Sequence, residues 1–439
     1  MSGSTFRVLI TCRELRIRAG TQLYTRDVAE TLRELGHSPV IYSPRPGEVS
    51  EELRARGVAV IDHLDQLGSP PSVIHGQHHL EAMEAMLRFP TVPALFVCHG
   101  WLPWVEAPPR FPSLRRYVAV DSLRRDRLVL EHGIPESQVA IHHNFVDLDR
   151  FRPRPPLPPR PRRALLLSNQ ASVHTFVPAV ERACAASGLE LTVAGHAAER
   201  PLQRPEELLG SFDLVFARGR TALEAMAVGT AVILCDLEGG GPLVDPANFA
   251  SLRDLNFGMG ALRPPVDAER LRAEIRCYDP EKAAQVRDRV RREAGRKEAV
   301  ERLLDLYRTL IEDAPDLAAE PQMRECLTAA ARYVRWLGPH LAEAEERSAG
   351  AQARALGAEV RAHTAEARAQ SAEVSAQAAE SRATSTLGRI DETEARLATV
   401  AATLETLERS PLGRLRAGLL GLRPLVAAWQ RLKGGRERS

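Results

Sequence analysis

Residues 217–233 read ARGRTALEAMAVGTAVI, with two arginines near the start and one glutamate, Glu224, inside an otherwise small and apolar run. A carboxylate on an apolar helix is costly to bury unless something meets it, so Glu224 is either paired with Arg218 or Arg220 or held for a ligand. The turn before the helix has a chemistry of its own. A helix N-terminus presents unpaired backbone N–H groups and a partial positive charge, which suits a diphosphate. Gly219 lets a ligand approach the backbone, Thr221 can cap the helix, and Arg218 or Arg220 can neutralise a phosphate. The competing reading is a capped helix with solvated arginines. His99 ends the apolar run PALFVCHG, so its ring should face whatever lies beyond the strand; a core histidine is the alternative. The cluster HGQHH (His75, His78, His79) invites a metal, but its spacing is not that of a helical H-x-x-x-H pair, and no carboxylate or thiolate companion is evident. No metal is expected there.

Strands and helices must hold these groups in place. Over residues 6–147 the apolar runs FRVLITC, SPVIYSP, VAVID, SVIHG, PALFVCHG and YVAVDS alternate with helical patterns, the rhythm of a parallel sheet wrapped by helices. The first helix, TQLYTRDVAETLRELG, carries Leu23, Val28, Leu32 and Leu35 on one stripe and stops at Gly36. Residues 152–163, RPRPPLPPRPRR, are too proline-rich for a helix or a central strand and predict an interdomain linker. The rhythm then restarts with RALLLSN, VPAVERACAASG, LELTVAG, PEELLG, DLVFARG, the helix above and TAVILCD. Two similar α/β domains, residues 1–151 and 164–312, are expected to face a cleft. Ligands of open parallel sheets bind outside the carboxyl ends of the strands, so the chemistry belongs in that cleft, with EGGGPLVDP (residues 238–246) lining it.

A helical return should occupy residues 313–340 and an Ala-rich long helix residues 341–409. Near its end Ile390, Leu397, Val400, Leu404 and Leu407 hold heptad spacing, which weakens upstream to Ala, Ser and Gln. It is either a coiled coil, joining a second copy or a partner helix, or a solvated helix packed on its own globular part. Residues 410–439 place Leu412, Leu415, Leu419, Leu422, Val426 and Trp429 among basic residues, a pattern for an anionic membrane surface or for a protein partner; Pro424 interrupts it.

Composition sets the outer limits. Lys+Arg (59) nearly balances Asp+Glu (57), for a formal charge of +2, which gives no ground for a nucleic-acid partner. Six scattered cysteines without a C-x-x-C pair fit a reducing cytoplasm. The start MSGSTFRVLIT moves straight into a strand without a secretory pattern, and no apolar run is long enough for a membrane span. The expected location is cytoplasmic, with the tail at most peripheral on the inner face of the membrane.

The opening TQLYTRDVAETLRELGHSPVIYS, the VCHG strand end, QVAIHHNFVDLDRFRP, LELTVAG and ALEAMAVGTAVI together resemble the GT-B glycosyltransferases of the family-4 type, over roughly residues 6–310. The resemblance implies two Rossmann-like domains, with a nucleotide-sugar donor held mainly by the second, a glycan or lipid-linked acceptor, retention at the anomeric carbon, and no metal or other cofactor. It puts Glu224 on the second glutamate of a paired-glutamate motif that receives ribose hydroxyls, which a carboxylate can accept in a fork. It puts His99 against the sugar as the catalytic-site histidine, able to donate a hydrogen bond. Gly20 matches a glycine-rich loop, and Gly195 and His196 the turn near the nucleotide base. Arg218, Gly219, Arg220 and Thr221 complete the donor site. Asn144, Asp147 and Phe151 fall in a hinge element in which Phe145 replaces a glycine.

Two departures bear on catalysis. The first glutamate of the motif would stand at Phe216, and the Arg and Lys that clamp the diphosphate are replaced by SNQASVHTF, with Asn169, Gln170 and His174. Losing one such contact costs on the order of 3 kcal/mol, about a hundredfold in rate, unless Arg220 substitutes. The sequence therefore supports an active glycosyltransferase, a GT-B-like binding or scaffold module without turnover, or, less well, a nucleotide-sugar epimerase.

Overall fold

A computed structural model describes residues 5–100, 104–195, 197–198, 204–314 and 320–409. The chain divides after His340 into two compact units. In the first unit the described residues form two sheets. The amino-terminal sheet contains β1 (Arg7–Thr11), β2 (Ser38–Tyr42), β3 (Ala59–Ile61), β4 (Val73–Gln77), β5 (Ala94–Cys98), β6 (Leu114–Ala119) and β7 (Val139–Ile141), in the order β3-β2-β1-β4-β5-β6-β7. All its pairings are parallel. A sheet buried on both faces needs unbroken apolar strands, and here alternate residues serve opposite faces. Val8, Ile10, Leu95 and Val97 join one core layer, whereas Leu9, Ala94, Phe96 and Cys98 join the other.

Helices α1 (Gly20–Glu34) and α2 (Glu48–Ala55) cover the first face; α3 (His79–Arg88) lies on the second, and α4 (Ser122–Asp126) follows β6. The second sheet contains β8 (Arg163–Leu167), β9 (Glu190–Ala194), β10 (Leu214–Ala217), β11 (Ala231–Asp236) and β12 (Gly239–Leu243), in the order β12-β11-β10-β8-β9. Its helices are α5 (Val177–Ala185), α6 (Pro205–Leu208), α7 (Gly219–Val228), α8 (Phe249–Asp254), α9 (Ala268–Arg276) and α10 (Pro280–Glu293). The quoted run is thus the end of β10, all of α7 and the start of β11. Gly229 ends α7 at φ 96°, a backbone only glycine adopts without cost.

Two placements differ from the sequence reading. Residues 239–243 do not line the cleft as a loop; they form β12, antiparallel to β11 at the sheet edge. The glycines are there for a close crossing, since a Cβ on Gly239 would fall 2.5 Å from the Arg263 backbone and one on Gly241 2.9 Å from the Ala261 carbonyl. Helix α11 (Arg296–Glu312), grouped by sequence with the second domain, buries Val300, Leu303, Leu304 and Tyr307 in the core of the first lobe. Its apolar stripe is visible in the sequence, but not which sheet it packs upon.

The chain passes between lobes at two adjacent points. Phe145 lies in the first core and Val146 in the second, and Val146 bridges Gly295 through Val146 N–H to Ala294 O (2.9 Å) and Arg296 N–H to Val146 O (3.0 Å). The proline-rich linker is tied to the second lobe: Arg154 pairs with Asp213 (3.2 Å), and the Tyr278 hydroxyl donates to Pro158 O (2.9 Å).

Helix α12 (Glu320–Arg409) begins against the first lobe, where Cys326 is buried with Met323, Ala329 and Tyr333 around it. Trp336 stacks on Tyr333 and lies 4.3 Å from the His79 ring. In the second unit the described part is helix to Arg409, and Leu341, Val374, Leu397 and Val400 are all at least half exposed. No helix among the described residues is long and apolar enough to cross a membrane. The basic tail, residues 410–439, and His196 lie outside the described residues.

Candidate functional site

The two sheets of the first unit point the carboxyl ends of their parallel strands at a cavity of about 360 Å³. The first lobe supplies Ala19, Gly20 and Thr21 where α1 begins, His99 after β5, and Asp121 and Arg124 after β6; the second supplies Ser168, Asn169 and Gln170 after β8, residues 218–221 after β10, and Asp236 at the end of β11. Gly20, His99, Arg218, Gly219, Arg220 and Thr221 are therefore brought together. Glu224 and Gly195 stand behind the wall.

Gly219 opens α7 at φ 58°, and its N–H is taken by Phe257 O (2.7 Å). Arg218, not Thr221, is the N-cap, with no side-chain cap bond, so Thr221 faces the cavity from the first turn. Arg218 is no solvated cation. Its Nε donates to Asp236 Oδ2 and its Nη2 to Glu238 Oε1 (3.3 Å), while Asp236 also accepts from Ser168 Oγ (2.6 Å). Gly195 makes that arrangement possible: its φ is 140°, and a Cβ would sit 1.8 Å from Ser168 O. The glycine lets the turns after β8 and β9 cross.

Arg220 spans the lobes. Its Nε donates to Glu224 Oε1 (2.9 Å) one helical turn on, and its Nη2 meets Asp27 Oδ2 on α1. Asp27 Oδ1 in turn accepts from Arg26 Nε (2.8 Å) and Nη2 (2.7 Å). All four residues are largely shielded from water. Burial pushes Asp27 up, but Arg220 and Arg26 more than reverse this and hold it at about 2. For Glu224, burial raises the carboxyl above the ordinary range and Arg220 offsets only part. Of the two sequence readings of Glu224, the pairing with Arg220 is present in this state.

His99 belongs to a chain of hydrogen bonds running into α1. Its Nε2 lies 2.8 Å from Gln77 Oε1, Gln77 Nε2 donates to Thr25 Oγ1 (3.0 Å), and Thr25 Oγ1 donates to Thr21 O (2.9 Å). With the Gln77 amide nitrogen committed to Thr25, its oxygen accepts from His99 Nε2–H. That leaves Nδ1 as an acceptor. Burial, reinforced by His78, His75 and His142, drives the imidazole well below its ordinary value, so the ring is neutral.

Residues 18–150 match the family model described as Glycosyltransferase Family 4. No curated protein matches the chain. Among solved structures, a glycosyltransferase from Rickettsia africae ESF-5 superposes with a TM-score of 0.54 at 16% identity, over 71% of this chain and 100% of that one. Anabaena Alr3699/HepE in complex with UDP superposes with a TM-score of 0.51 at 12% identity, over 70% of this chain and 100% of that one. The same protein in complex with UDP-glucose gives 0.50 at 13%, over 69% and 100%. The chain has the GT-B fold. At these identities the structural likeness speaks for the fold, and the family-4 match runs from the start of α1 to just beyond β7.

Three features of this GT-B cavity escaped the sequence reading. Arg124 faces it from the first lobe, held by Asp121, which accepts from the Arg124 N–H and from Nη1 (both 2.8 Å). The signal was present: Asp121 and Arg124 follow directly on the carboxyl end of an apolar strand, where ligands gather. Asp236 and Asn256 gave no comparable sign. Asn169 and Gln170, expected to stand where the resemblance implies diphosphate-clamping cations, do line the cavity; His174 is not in its wall. The three histidines of HGQHH go three ways: His75 Nδ1 to the Tyr307 hydroxyl (2.6 Å), His78 Nδ1 to the Arg13 N–H (3.1 Å), and His79 Nδ1 to Ala107 O (2.8 Å). Among the described residues no group of three His, Cys, Asp or Glu is placed to hold a metal ion. A second cavity, about 790 Å³ and ringed by arginines and acids such as Arg26, Glu52, Arg150 and Glu206, contains none of the predicted site residues.

Proposed function

We propose that this GT-B protein is a glycosyltransferase that takes a nucleotide-sugar donor into the interlobe cavity and passes the sugar to a glycan or lipid-linked acceptor. One observation carries the reading: arginines from both lobes, Arg218 at the mouth of α7 and Arg124 opposite, converge on the cavity that also holds His99. They would meet the two phosphates and the charge growing on the leaving group, work otherwise done by the missing Arg and Lys or by a metal. The metal-independent course implied by family resemblance is kept on that basis, and the retaining outcome on the resemblance alone.

Gly20 leaves room, since a Cβ there would meet nothing within 4 Å. The neutral His99 would take a sugar hydroxyl on Nδ1 rather than donate to it. Gly195 and His196 remain the proposed base-side turn. Arg220 holds Glu224 through Oε1, so Glu224 would receive both ribose hydroxyls in a fork once Arg220 turns to Asp27 alone. Since HepE has been solved with UDP and UDP-glucose, uridine nucleotides are the first to try. Ligand at a hundred times its dissociation constant raises stability by about 2.7 kcal/mol, a clear thermal shift; product analysis then reports the anomeric outcome. A panel of nucleotides and nucleotide sugars that leaves the melting temperature unmoved sinks the proposal.

A second reading, a GT-B scaffold without turnover, is favoured by the Asp27–Arg220–Glu224 link, which occupies a cation and a carboxylate that donor chemistry would use. It predicts no nucleotide shift in the parent protein. On either reading the basic tail, residues 410–439, would serve an anionic membrane surface or a protein partner.

A further inference from the structure

The helix beyond His340 carries a pattern that donor chemistry does not use. Counted in sevens from Leu341, the residues are Ser348, then alanine at every step from Ala355 to Ala383, then Ile390, Leu397 and Leu404. Three places further along, alanine recurs at every step from Ala344 to Ala379, followed by Thr386, Thr393 and Val400. These are the a and d rows of a heptad repeat. The whole span is helical, and its larger seam residues are exposed, Leu397 at 50% and Val400 at 55%.

The rows on either side carry opposite charge. Position g, just before a, is arginine at 347, 354, 361 and 368, serine at 375, and arginine again at 382, 389 and 396. Position e, just after d, holds Glu345, Gln352, Glu359, Glu366, Glu373 and Glu380, and later Glu394. A lone straight helix gains nothing from a strict seven-residue period, because the stripe drifts around it by about 20° per heptad. A second helix that follows the stripe does gain. The charges say which helix and in which direction. In a parallel, in-register pair each g residue meets the e residue five places on in the other copy, so Arg354 faces Glu359, Arg361 faces Glu366, Arg368 faces Glu373 and Arg389 faces Glu394. In an antiparallel pair g meets g and e meets e, which sets arginine against arginine and glutamate against glutamate. Within the helix Arg396 pairs with Glu392 (2.8 Å), both exposed, and such contacts exchange readily for intermolecular ones.

We propose that residues 341–404 are a parallel, in-register, two-stranded coiled coil with a second copy of this chain, packed through an alanine seam and oriented by arginine at g and glutamate at e. The small seam brings the backbones close, and Ile390, Leu397 and Leu404 fix the register near one end. The proposal is independent of the donor reading, since none of these residues belongs to the cavity.

Sedimentation of the full-length protein at tens of micromolar should give a dimer mass. Oxidation of Ser348→Cys in a Cys277→Ser background, which removes the exposed thiol, should give a covalent dimer, because facing a positions of parallel strands lie within disulfide reach. Arg354→Glu, Arg361→Glu and Arg368→Glu together, or Glu359→Arg, Glu366→Arg and Glu373→Arg together, should each weaken self-association at least tenfold, and mixing the two triple variants should restore it. Restoration on mixing separates charge matching from misfolding. A parent that sediments as a monomer or trimer, a dimer that does not cross-link through position 348, or triple variants that associate like the parent would each overturn the proposal.

Discussion

The two walls of the cavity are made differently although both end parallel sheets. The first lobe contributes a neutral histidine wired to α1 through Gln77 and Thr25, and a helix start, Gly20, with open space around it; the second contributes α7 with arginines at its mouth. Even their glycines differ. Gly20 has an unstrained backbone and a vacant Cβ direction, whereas Gly219 sits at φ 58°, where other residues are strained. The first lobe leaves space and the second sets charge beside it. Among the described residues, Asp27–Arg220 is the charge pair that ties α7 to α1.

Acid should expose the contrast most strongly. His75, His78 and His142, all buried in the first lobe, are lowered from 6.5 to about 3, 4 and 4, chiefly by burial. They are neutral when folded and titrate near 6.5 when unfolded, so stability is full above that pH and falls as acid is added. Between pH 7 and pH 5 each should cost about 2 kcal/mol, measured by denaturant unfolding. A flat profile over that interval would remove the difference between the lobes. Asp27 acts lower, because its depressed carboxyl loses its contribution only as the pH falls from about 4 to about 2.

Arg220→Met attacks the tie itself. It strands Glu224 and leaves Asp27 with Arg26 alone, so a loss of about 3–5 kcal/mol in unfolding free energy is expected; a loss under about 1 kcal/mol would mean that the link holds nothing. Glu224→Gln leaves Arg220 with Asp27 and should lower uridine diphosphate affinity by more than tenfold in a calorimetric titration, with the melting temperature little changed. Unaltered affinity would confine Glu224 to its pairing. The smallest effects separate the glycines: Gly219→Ala should cost about 1 kcal/mol of stability through its positive φ, whereas Gly20→Leu should leave stability nearly constant and weaken nucleotide binding.

What the sequence disclosed follows how local each cause is. Alternation within β1, β4 and β5 and the stop of α7 at Gly229 are properties of a few adjacent residues, and both were legible. So was the Arg220–Glu224 pair, four residues apart on a helix. Asp27, 193 residues from Arg220, could not be read as its partner. EGGGPLVDP was expected to line the cleft, and only the close crossing of Arg263 and Ala261 explains why an edge strand there needs glycines. Arg124 caps the start of α4 with Asp121 while also facing the cavity, a second role that the local Asp–x–x–Arg pattern does not display.

The bridge between Val146 and Gly295 reaches beyond local packing. Because the outgoing and returning segments are stitched side by side, both covalent crossings between the halves of this unit lie at one place, and any change of angle between the halves would be borne by those few residues, as by the spine of a book. Such a change would carry the far edge of the cavity furthest and the stitched edge hardly at all.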